Sequence, residues 1–256
     1  MNKIIFTEEF CQPENLYPFS LTRQIQDIRV GILSIREKWE KILKAPSFDK
    51  YEDDYKDLSR SVHITKKLGE GVFFLIHGNI IPNTRLVKMV NRLKNGEFLS
   101  VNGSGVIFRF TKKEITGPDK VRINKSIEFR HELKTVQFPW DIVHQNDHAI
   151  REDFRLLTAG RKSASLPKTC KAVNPEAIFI EKGADLQHVI LNAAEGPIYI
   201  GKGAVIMEGS LIRGPVSVGE KAVVKMGAKI YGATSIGPGC VAGGEIKNSV
   251  FFANSN

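Results

Sequence analysis

Cysteine is scarce in this chain, and its three copies are too scattered to build a framework. Cys11, Cys170 and Cys240 lie far apart, are odd in number and include no CxxC pair. A disulfide-stabilised fold needs paired cysteines, and a zinc knuckle needs closely spaced ones. The sequence therefore excludes both classes, and the predicted role of Cys240 is that of a packed thiol.

Long apolar runs are also missing. No stretch of the chain is apolar for long enough to cross a bilayer. The first ten residues carry Glu8 and Glu9, where a signal peptide needs an apolar segment. We therefore expect no membrane span and a cytoplasmic location.

Net charge is absent from the last third of the chain. From residue 176 onward there are seven basic and seven acidic residues, so the whole formal charge of +9 lies in the first 175 residues. Such an excess favours anionic ligands such as nucleotides and sugar phosphates. The basic residues are not interleaved with aromatics in an RNA-binding signature, and we expect no nucleic acid partner.

The same last third contains a sixfold repeat. An aliphatic residue returns every sixth position, and the position four further on is small or short. A helix repeats every 3.6 residues and a strand every two, whereas six residues per side is the repeat of a β-helix. The pattern predicts a triangular coil with these residues inside and glycine at its corners, in φ values that other residues resist. The aliphatic series is Ile200, Ile206, Ile212, Val218, Val224, Ile230, Ile236 and Ala242; the small series is Ala204, Ser210, Val216, Ala222, Ala228, Thr234 and Cys240; the corner glycines are Gly201, Gly219, Gly237, Gly243, Gly203, Gly209, Gly227 and Gly239.

The repeat is irregular at both ends. Ile180 and Leu186 extend it backwards, and two extra residues before Ile200 predict a loop within residues 188–197. Beyond Ala242 the next position in phase is Asn248, and no helix or polar repeat follows to cover a last rung. We expect from this that further residues follow Asn256.

The first 160 residues predict a mixed α/β domain. A buried strand that runs into a polar turn and then a helix is where open α/β sheets bind ligands. A polar connector at residues 158–177 contains the predicted boundary, which gives an α/β domain at 1–160, a linker at 161–176 and a coil at 177–256. The predicted elements are a helix at 35–43 with Trp39 as a core anchor, the strand at 71–81 with its Gly-Asn turn, a helix at 86–93, a strand at 99–110 and a helix at 142–157.

Four short motifs carry a resemblance to a known family. They are LYPFSLTR at residues 16–23, RVGILSIREKW at 29–39, HGNIIP at 77–82 and EIKNS at 245–249. In this order they resemble a divergent bacterial branch of the bifunctional UDP-N-acetylglucosamine diphosphorylase and glucosamine-1-phosphate N-acetyltransferase family. The resemblance covers nearly the whole chain. It implies a nucleotidyltransferase-like, Rossmann-type α/β domain followed by a left-handed parallel β-helix of hexapeptide repeats.

The resemblance is uneven in the first domain. The family opens with a glycine-rich phosphate loop, but residues 7–15 contain no glycine. Where the family has a metal-binding Asp in a Gly-Asp turn, this chain has Gly78 and Asn79, and a neutral amide is a poorer Mg²⁺ ligand. The resemblance implies Mg²⁺ if nucleotidyl transfer is retained, with metal ligands Asn146 and Asp147 and substrate contacts from Arg23, Gly78 and Asn79.

For the coil the resemblance implies acyl transfer. In the family, acetyl-CoA lies along the seam between neighbouring coils of a homotrimer, and a histidine deprotonates the acceptor amine. Lys247 matches the family's sugar-phosphate lysine, Lys229 replaces an arginine, and Tyr231 is a further predicted substrate contact. The catalytic histidine is expected beyond Asn256.

Three functions follow as alternatives. The first is a sugar-nucleotide pathway transferase that moves a nucleotidyl or acyl group to an amino sugar 1-phosphate. The second is a non-catalytic nucleotide-sugar-binding or regulatory protein, trimerised by its coil, which the missing glycine loop favours. The third is a metalloenzyme of the carbonic anhydrase kind, which needs about three histidines around a metal. The coil contains only His188, which argues against this third function.

Overall fold

Alternating apolar strands and amphipathic helices direct the first half of the chain into an α/β arrangement. The computed structural model describes residues 1–9, 11–50, 61–65, 68–118 and 120–256. By their contacts these residues form two compact units: residues 1–28 with 35–139, and residues 29–34 with 140–256. Among the described residues, no helix combines the length and apolar composition that a membrane span needs.

The first unit is built on a seven-stranded mixed sheet of order β3-β2-β1-β4-β6-β5-β9. The strands β1, β2, β3 and β4 run parallel, β6 is antiparallel to both of its neighbours, and β9 is parallel to β5. The elements are β1 (Asn2–Thr7), α1 (Ile35–Leu43), β2 (Ser47–Lys50), β3 (Ser61–Val62), β4 (Val72–His77), α2 (Thr84–Val90), β5 (Glu97–Val101), β6 (Ser104–Phe110), the pair β7 (Ile115–Gly117) and β8 (Lys120–Val121), and β9 (Lys125–Glu128).

The helix α1 confirms its sequence pattern. Ile35, Trp39 and Leu43 recur every four residues and therefore share one face, and all three are buried. The indole Nε1 of Trp39 donates a hydrogen bond to the carbonyl of Ile80 at 2.9 Å. The helix ends where Lys44 takes a left-handed φ of 50°.

Two element predictions differ from the structure. Residues 99–110 were expected as one strand, but Asn102 and Gly103 both take positive φ and turn the chain into the hairpin β5-β6. Residues 142–157 were expected as one helix, but the structure has α3 (Pro139–His144) and α4 (Asn146–Thr158).

The second unit confirms the predicted left-handed parallel β-helix. Three stacked parallel sheets form its sides. Face one holds β10 (Lys171–Val173), β13 (Ile190–Asn192), β16 (Leu211–Arg213), β19 (Lys229–Tyr231) and β22 (Glu245–Lys247); face two holds β11 (Ile178–Ile180), β14 (Ile198–Ile200), β17 (Val216–Val218), β20 (Thr234–Ile236) and β23 (Val250–Phe251); face three holds β12 (Asp185–Leu186), β15 (Val205–Ile206), β18 (Val223–Val224) and β21 (Val241–Ala242).

The sixfold repeat sets the interior of this coil. Every member of the aliphatic series is at most 2 % exposed, and every member of the small series is fully buried. Burial of one such aliphatic side chain contributes about 1.5 to 3 kcal/mol. The strand β10 lies within the segment 161–176 that was predicted as a linker, yet it pairs with β13 of the coil. The domain limits themselves stay a prediction.

The register shifts at both ends of the coil. After Leu186 the next residue in register with the aliphatic series is Leu191, the register partner of Ile212. The extra residues therefore form a loop after β13 rather than across all of 188–197. After Ala242 the inward residue is Ile246, four positions on, and the in-phase Asn248 is exposed.

The corner glycines are of two kinds. Gly203, Gly209, Gly227 and Gly239 take positive φ, as predicted. Gly201, Gly219, Gly237 and Gly243 do not, and for them the prediction is wrong. At Gly219 the reason is close approach, since an added Cβ would lie 2.6 Å from the backbone carbon of Gly237 on the next rung.

Face two of the coil is covered. Its outward residues Phe179, Tyr199, Ser217 and Ser235 are all buried. The strap, which we define as Arg29–Ser34, and the helix α4 belong to the same unit, and Ile32, Leu33, Phe154 and Leu157 pack with Phe179 and Tyr199. The carboxylate of Asp153 accepts the backbone N–H groups of Ile32 and Leu33 at 2.9 and 3.1 Å.

Candidate functional site

The strand order of the first unit defines where a ligand is expected. The chain builds outward from β1 to β2 and β3 on one side, then crosses back to β4 on the other side of β1. The carboxyl ends of β1 and β4 are register partners, with Thr7 opposite His77. In open α/β sheets the crevice outside such a reversal point binds ligands.

The turn after β4 carries two predicted site residues, Gly78 and Asn79. The N–H of Gly78 donates to Thr7 at 2.9 Å, and the carbonyl of Asn79 accepts from Val136 at 2.9 Å, so the turn is fixed on both sides. A Cβ at Gly78 would collide with the side-chain oxygen of Gln26. Glycine is therefore required there by packing.

A cavity of about 190 Å³ opens beside this turn, and we call it the amide-lined cavity. Four of its lining residues carry amide side chains, and three form an aliphatic wall; the eighth is Cys11. None of the described lining residues is charged. The amides are Gln12, Asn15, Asn79 and Gln137. The wall consists of Leu16, Ile25 and Val136.

A second cavity of about 500 Å³ adjoins the first, because Gln137 lines both. Its described lining includes the carboxylates of Glu128 and Glu132, the guanidinium of Arg130 and the imidazole of His131. Hydrogen bonds from Ser100 and from the backbone of the hairpin turn lower the pKa of Glu128. The carboxylate of Glu128 holds this turn, and that of Glu132 pairs with Lys134 at 2.6 Å. Arg130 and His131 are therefore the described lining groups suited to an anion.

A buried ionic network lies behind the turn. The guanidinium of Arg36 donates to Asp27 and to Asp49, each at 2.6 Å, and lies over the ring of Phe6. The amide nitrogen of Gln26 donates to Asp49 at 2.6 Å. The network therefore orients Gln26, the side chain against which Gly78 packs.

His77 is expected to make folding depend on pH. Burial lowers its pKa to about 4, partly opposed by the negative charge of Glu9, whereas the unfolded chain titrates near its ordinary value of 6.5. Between these two pH values the unfolded state binds more protons, so the free energy of unfolding falls as the pH falls through this window. Above about pH 6.5 the full contribution of His77, about 3 kcal/mol of the free energy of unfolding relative to low pH, is present.

Urea unfolding at pH 7.5, 6 and 5 measures this effect. In His77→Gln the loss of stability between about pH 6.5 and 4 should shrink. The exposed His131 supplies the control, since His131→Gln should keep the wild-type profile. Identical profiles for the wild type and His77→Gln would contradict the assignment.

The other predicted residues of this site, Arg23, Asn146 and Asp147, are not among the described lining residues of either cavity. Arg23 lies half-buried between the turns Phe19–Leu21 and Ile25–Asp27, outside the described lining of the amide-lined cavity. Asn146 and Asp147 begin α4 in the second unit. The sequence therefore predicted one set of residues that the structure divides between two units.

Asn146 has a structural role in the second unit. It is fully buried; its side-chain oxygen accepts from Gly31 and from Ser235, and its nitrogen donates to Ala233 at 2.7 Å. Both lone pairs of the oxygen are used. Asp147 pairs with Arg151 at 2.7 Å. Their metal role stays a prediction that these contacts do not favour.

Mg²⁺ does not fit the described residues of the first unit. The family's carboxylate position is Asn79, and Glu8 near the same cavity accepts from the N–H of Ile25 at 2.6 Å. Across the described residues no group of three His, Cys, Asp or Glu side chains is placed to hold a metal ion. A hard cation favours anionic oxygen ligands, and none of the described lining residues of this cavity supplies one.

The coil brings its three predicted residues together on face one. A cavity of about 380 Å³ is lined there by aliphatic Ile190 and Leu211 and by Lys229 and Tyr231. The Nζ of Lys247 lies 5.6 Å from the ring centroid of Tyr231. The hydroxyl of Tyr231 donates to Glu245 at 2.7 Å, which raises the pKa of Tyr231.

Sequence reasoning missed three of the four amide side chains. Gln12 and Asn15 immediately precede the LYPF motif, in the loop singled out only for its lack of glycine. Gln137 gave no local signal, since it reaches the cavity through the pairing of residues 134–136 with the turn after β4.

Comparison with known proteins gives a family for the first part of the chain. The family model described as sugar nucleotidyl transferase matches residues 4–162, which is more than half of the sequence. No curated protein matches the chain. The matched residues include the seven-stranded sheet, apart from Asn2 and Lys3 of β1, and all described lining residues of the amide-lined cavity.

Proposed function

We propose, since this chain belongs to the sugar nucleotidyl transferase family, that it joins a nucleotidyl group to a sugar 1-phosphate. The observation that carries the proposal is a pair of adjoining cavities, the amide-lined cavity beyond the carboxyl ends of β1 and β4 and the second cavity beyond those of β5 and β9. A phosphate oxygen of the sugar 1-phosphate attacks the α-phosphorus of a nucleoside triphosphate. The bond from that phosphorus to the bridging oxygen breaks, and pyrophosphate leaves.

The charges around the cavities support this assignment. The neutral amide-lined cavity suits an uncharged part of a substrate, and Arg130 and His131 of the second cavity suit its phosphates. Both cavities lie in the part of the chain that carries the excess of positive charge. Electrostatic attraction of this kind raises the local concentration of anionic substrates.

A second candidate function is acyl transfer on the coil. Lys229 and Lys247 flank the apolar cavity of face one, an arrangement that suits a phosphate beside an acyl chain. Acetyl-CoA as donor, an amino sugar 1-phosphate as acceptor and a homotrimer are parts of this candidate. The exposed Val173, Ile190 and Leu211 are apolar surface that packing between copies would cover.

One assay with two arms tests both candidates. The full chain is incubated with nucleoside triphosphates and sugar 1-phosphates while pyrophosphate is measured, and with acetyl-CoA and glucosamine 1-phosphate while free thiol is measured. The double variant Lys229→Ala/Lys247→Ala should lose about tenfold or more in the thiol arm only. The exposed Lys182 supplies the control as Lys182→Ala.

The outcomes separate the candidates. Pyrophosphate release supports nucleotidyl transfer, and thiol release supports acyl transfer. If neither product forms across several sugars and bases, both transfer proposals fail. Binding of nucleotide sugar without turnover then favours the alternative, a nucleotide-sugar-binding protein.

A further inference from the structure

We propose that the amide-lined cavity binds an uncharged ring of its ligand directly, without a metal ion. This proposal rests on the proposed function in one respect, which is that the ring is the base or the sugar of a nucleotide sugar. It differs from the resemblance, which implies a metal ligand at the position of Asn79.

Asn79 is the first observation that points to a ligand. The residue is only 8 % exposed and lines the cavity, and its backbone carbonyl is fixed by Val136. Its side-chain amide has no hydrogen-bond partner within the part of the chain that the structure describes. A buried amide without a partner offers its NH₂ group as a donor and its oxygen as an acceptor to a ligand in the cavity.

The second observation is a preorganised pair on the opposite loop. The Nδ2 of Asn15 donates to the Oε1 of Gln12 at 2.7 Å. This bond leaves the Asn15 oxygen as an acceptor and the Gln12 nitrogen as a donor, on two amides that contact each other. A ring with adjacent donor and acceptor atoms matches this pattern, since each amide supplies the complementary group.

The lack of charge in the described lining excludes a phosphate from the cavity, and the size of the cavity excludes a whole nucleotide sugar. A buried anion needs a counter-charge, and no described lining residue carries one. The volume of about 190 Å³ is below the roughly 300 to 1,000 Å³ of pockets that enclose drug-sized ligands. One ring fits, with its apolar face against the aliphatic side chains of Leu16, Ile25 and Val136.

The nearby carboxylates are engaged by other groups. Glu8 accepts from the backbone of Ile25, Glu9 pairs with Lys50 at 2.6 Å, and Asp49 is held by Arg36. None of the three is among the described lining residues. Binding through the cavity therefore depends on amide groups.

Calorimetry on the full chain tests the proposal with UDP-N-acetylglucosamine, once with Mg²⁺ and once with EDTA. The affinity should be the same in both. Asn79→Ala should weaken binding about tenfold, since one or two hydrogen bonds are lost. Gln12→Ala, at an exposed position that does not endanger folding, should weaken binding about threefold to tenfold. Asn91→Ala, at an exposed asparagine of the first unit outside the cavity, is the matched control.

Asn79→Asp separates an amide site from a metal site. An amide site loses a donor and gains a buried charge, so this variant should bind at least about tenfold more weakly, with or without Mg²⁺. Tighter binding of Asn79→Asp in Mg²⁺ than of the wild type would overturn the proposal. Loss of wild-type binding in EDTA would do the same.

Uridine and N-acetylglucosamine, used as uncharged competitors, distinguish the two sources of the ring. Whichever displaces the nucleotide sugar from the wild type, and not from Asn79→Ala, occupies the cavity. If neither competes, or if the nucleotide sugar does not bind, the inference is overturned. Product in the transfer assay would then show that the proposed function survives, and absence of product would show that both have failed.

Discussion

Gly31→Ala is expected to destabilise the second unit by about 3 to 5 kcal/mol, from left-handed strain combined with overpacking. Gly31 has a φ of +85°, and an added Cβ would lie 2.6 Å from the carboxylate of Asp153 and 2.8 Å from the backbone of Ala149. Neither neighbour is free to move, because Asp153 holds the strap and Ala149 belongs to α4. Thermal unfolding measures the total loss, and hydrogen exchange at the amides of Ile32 and Leu33 measures the local one.

Gly160 supplies the matched control within the same unit. Its φ is +70°, and nothing lies within 4 Å of an added Cβ. Gly160→Ala should therefore show only the backbone strain, about 1 to 2 kcal/mol. The difference between the two variants isolates the contact of the strap with α4, and equal losses would contradict that contact.

The coil could be predicted from the sequence because burial inside the coil alone selects an aliphatic residue at every sixth position. Ile206, Val224 and Ala242 each fill the same inward site of successive rungs, so the spacing alone reports their burial. Gly219 shows the limit of that reasoning. The sequence predicted a glycine at this corner, but the reason for it is the close approach of the backbone of the next rung. Only the stacked structure reveals that contact.

The first unit was predicted less completely because its contacts are long-range. The Asn102-Gly103 pair is a local hairpin signal that the sequence reading took for the end of one strand. Gln137 and Asn79 meet through pairing of segments more than fifty residues apart, and no spacing rule reports that. Asn146 matched a metal motif by its neighbours in sequence, whereas its three hydrogen-bond partners lie at residues 31, 233 and 235.

Asp49→Ala is expected to cost the first unit about 3 to 5 kcal/mol, because it leaves a buried guanidinium without one of its two carboxylate partners. The side chains of Arg36 and Asp49 are 4 % and 3 % exposed. Asp27, the remaining partner, is 38 % exposed and compensates less. The same change removes the acceptor of Gln26, so the support behind Gly78 is lost as well. Urea unfolding at neutral pH measures the loss.

Two further variants make this prediction specific to the buried charge. Glu132→Ala breaks an equally short pair with Lys134, but Glu132 is 73 % exposed, and a loss within about 1 kcal/mol is expected. The double variant Arg36→Met/Asp49→Leu removes both charges and should be more stable than Asp49→Ala alone, since replacing a whole buried pair by apolar groups is often neutral. A double variant no more stable than the single one would show that the cost arises from lost packing instead of the unpaired charge. A loss in Asp49→Ala no larger than in Glu132→Ala would contradict the network altogether.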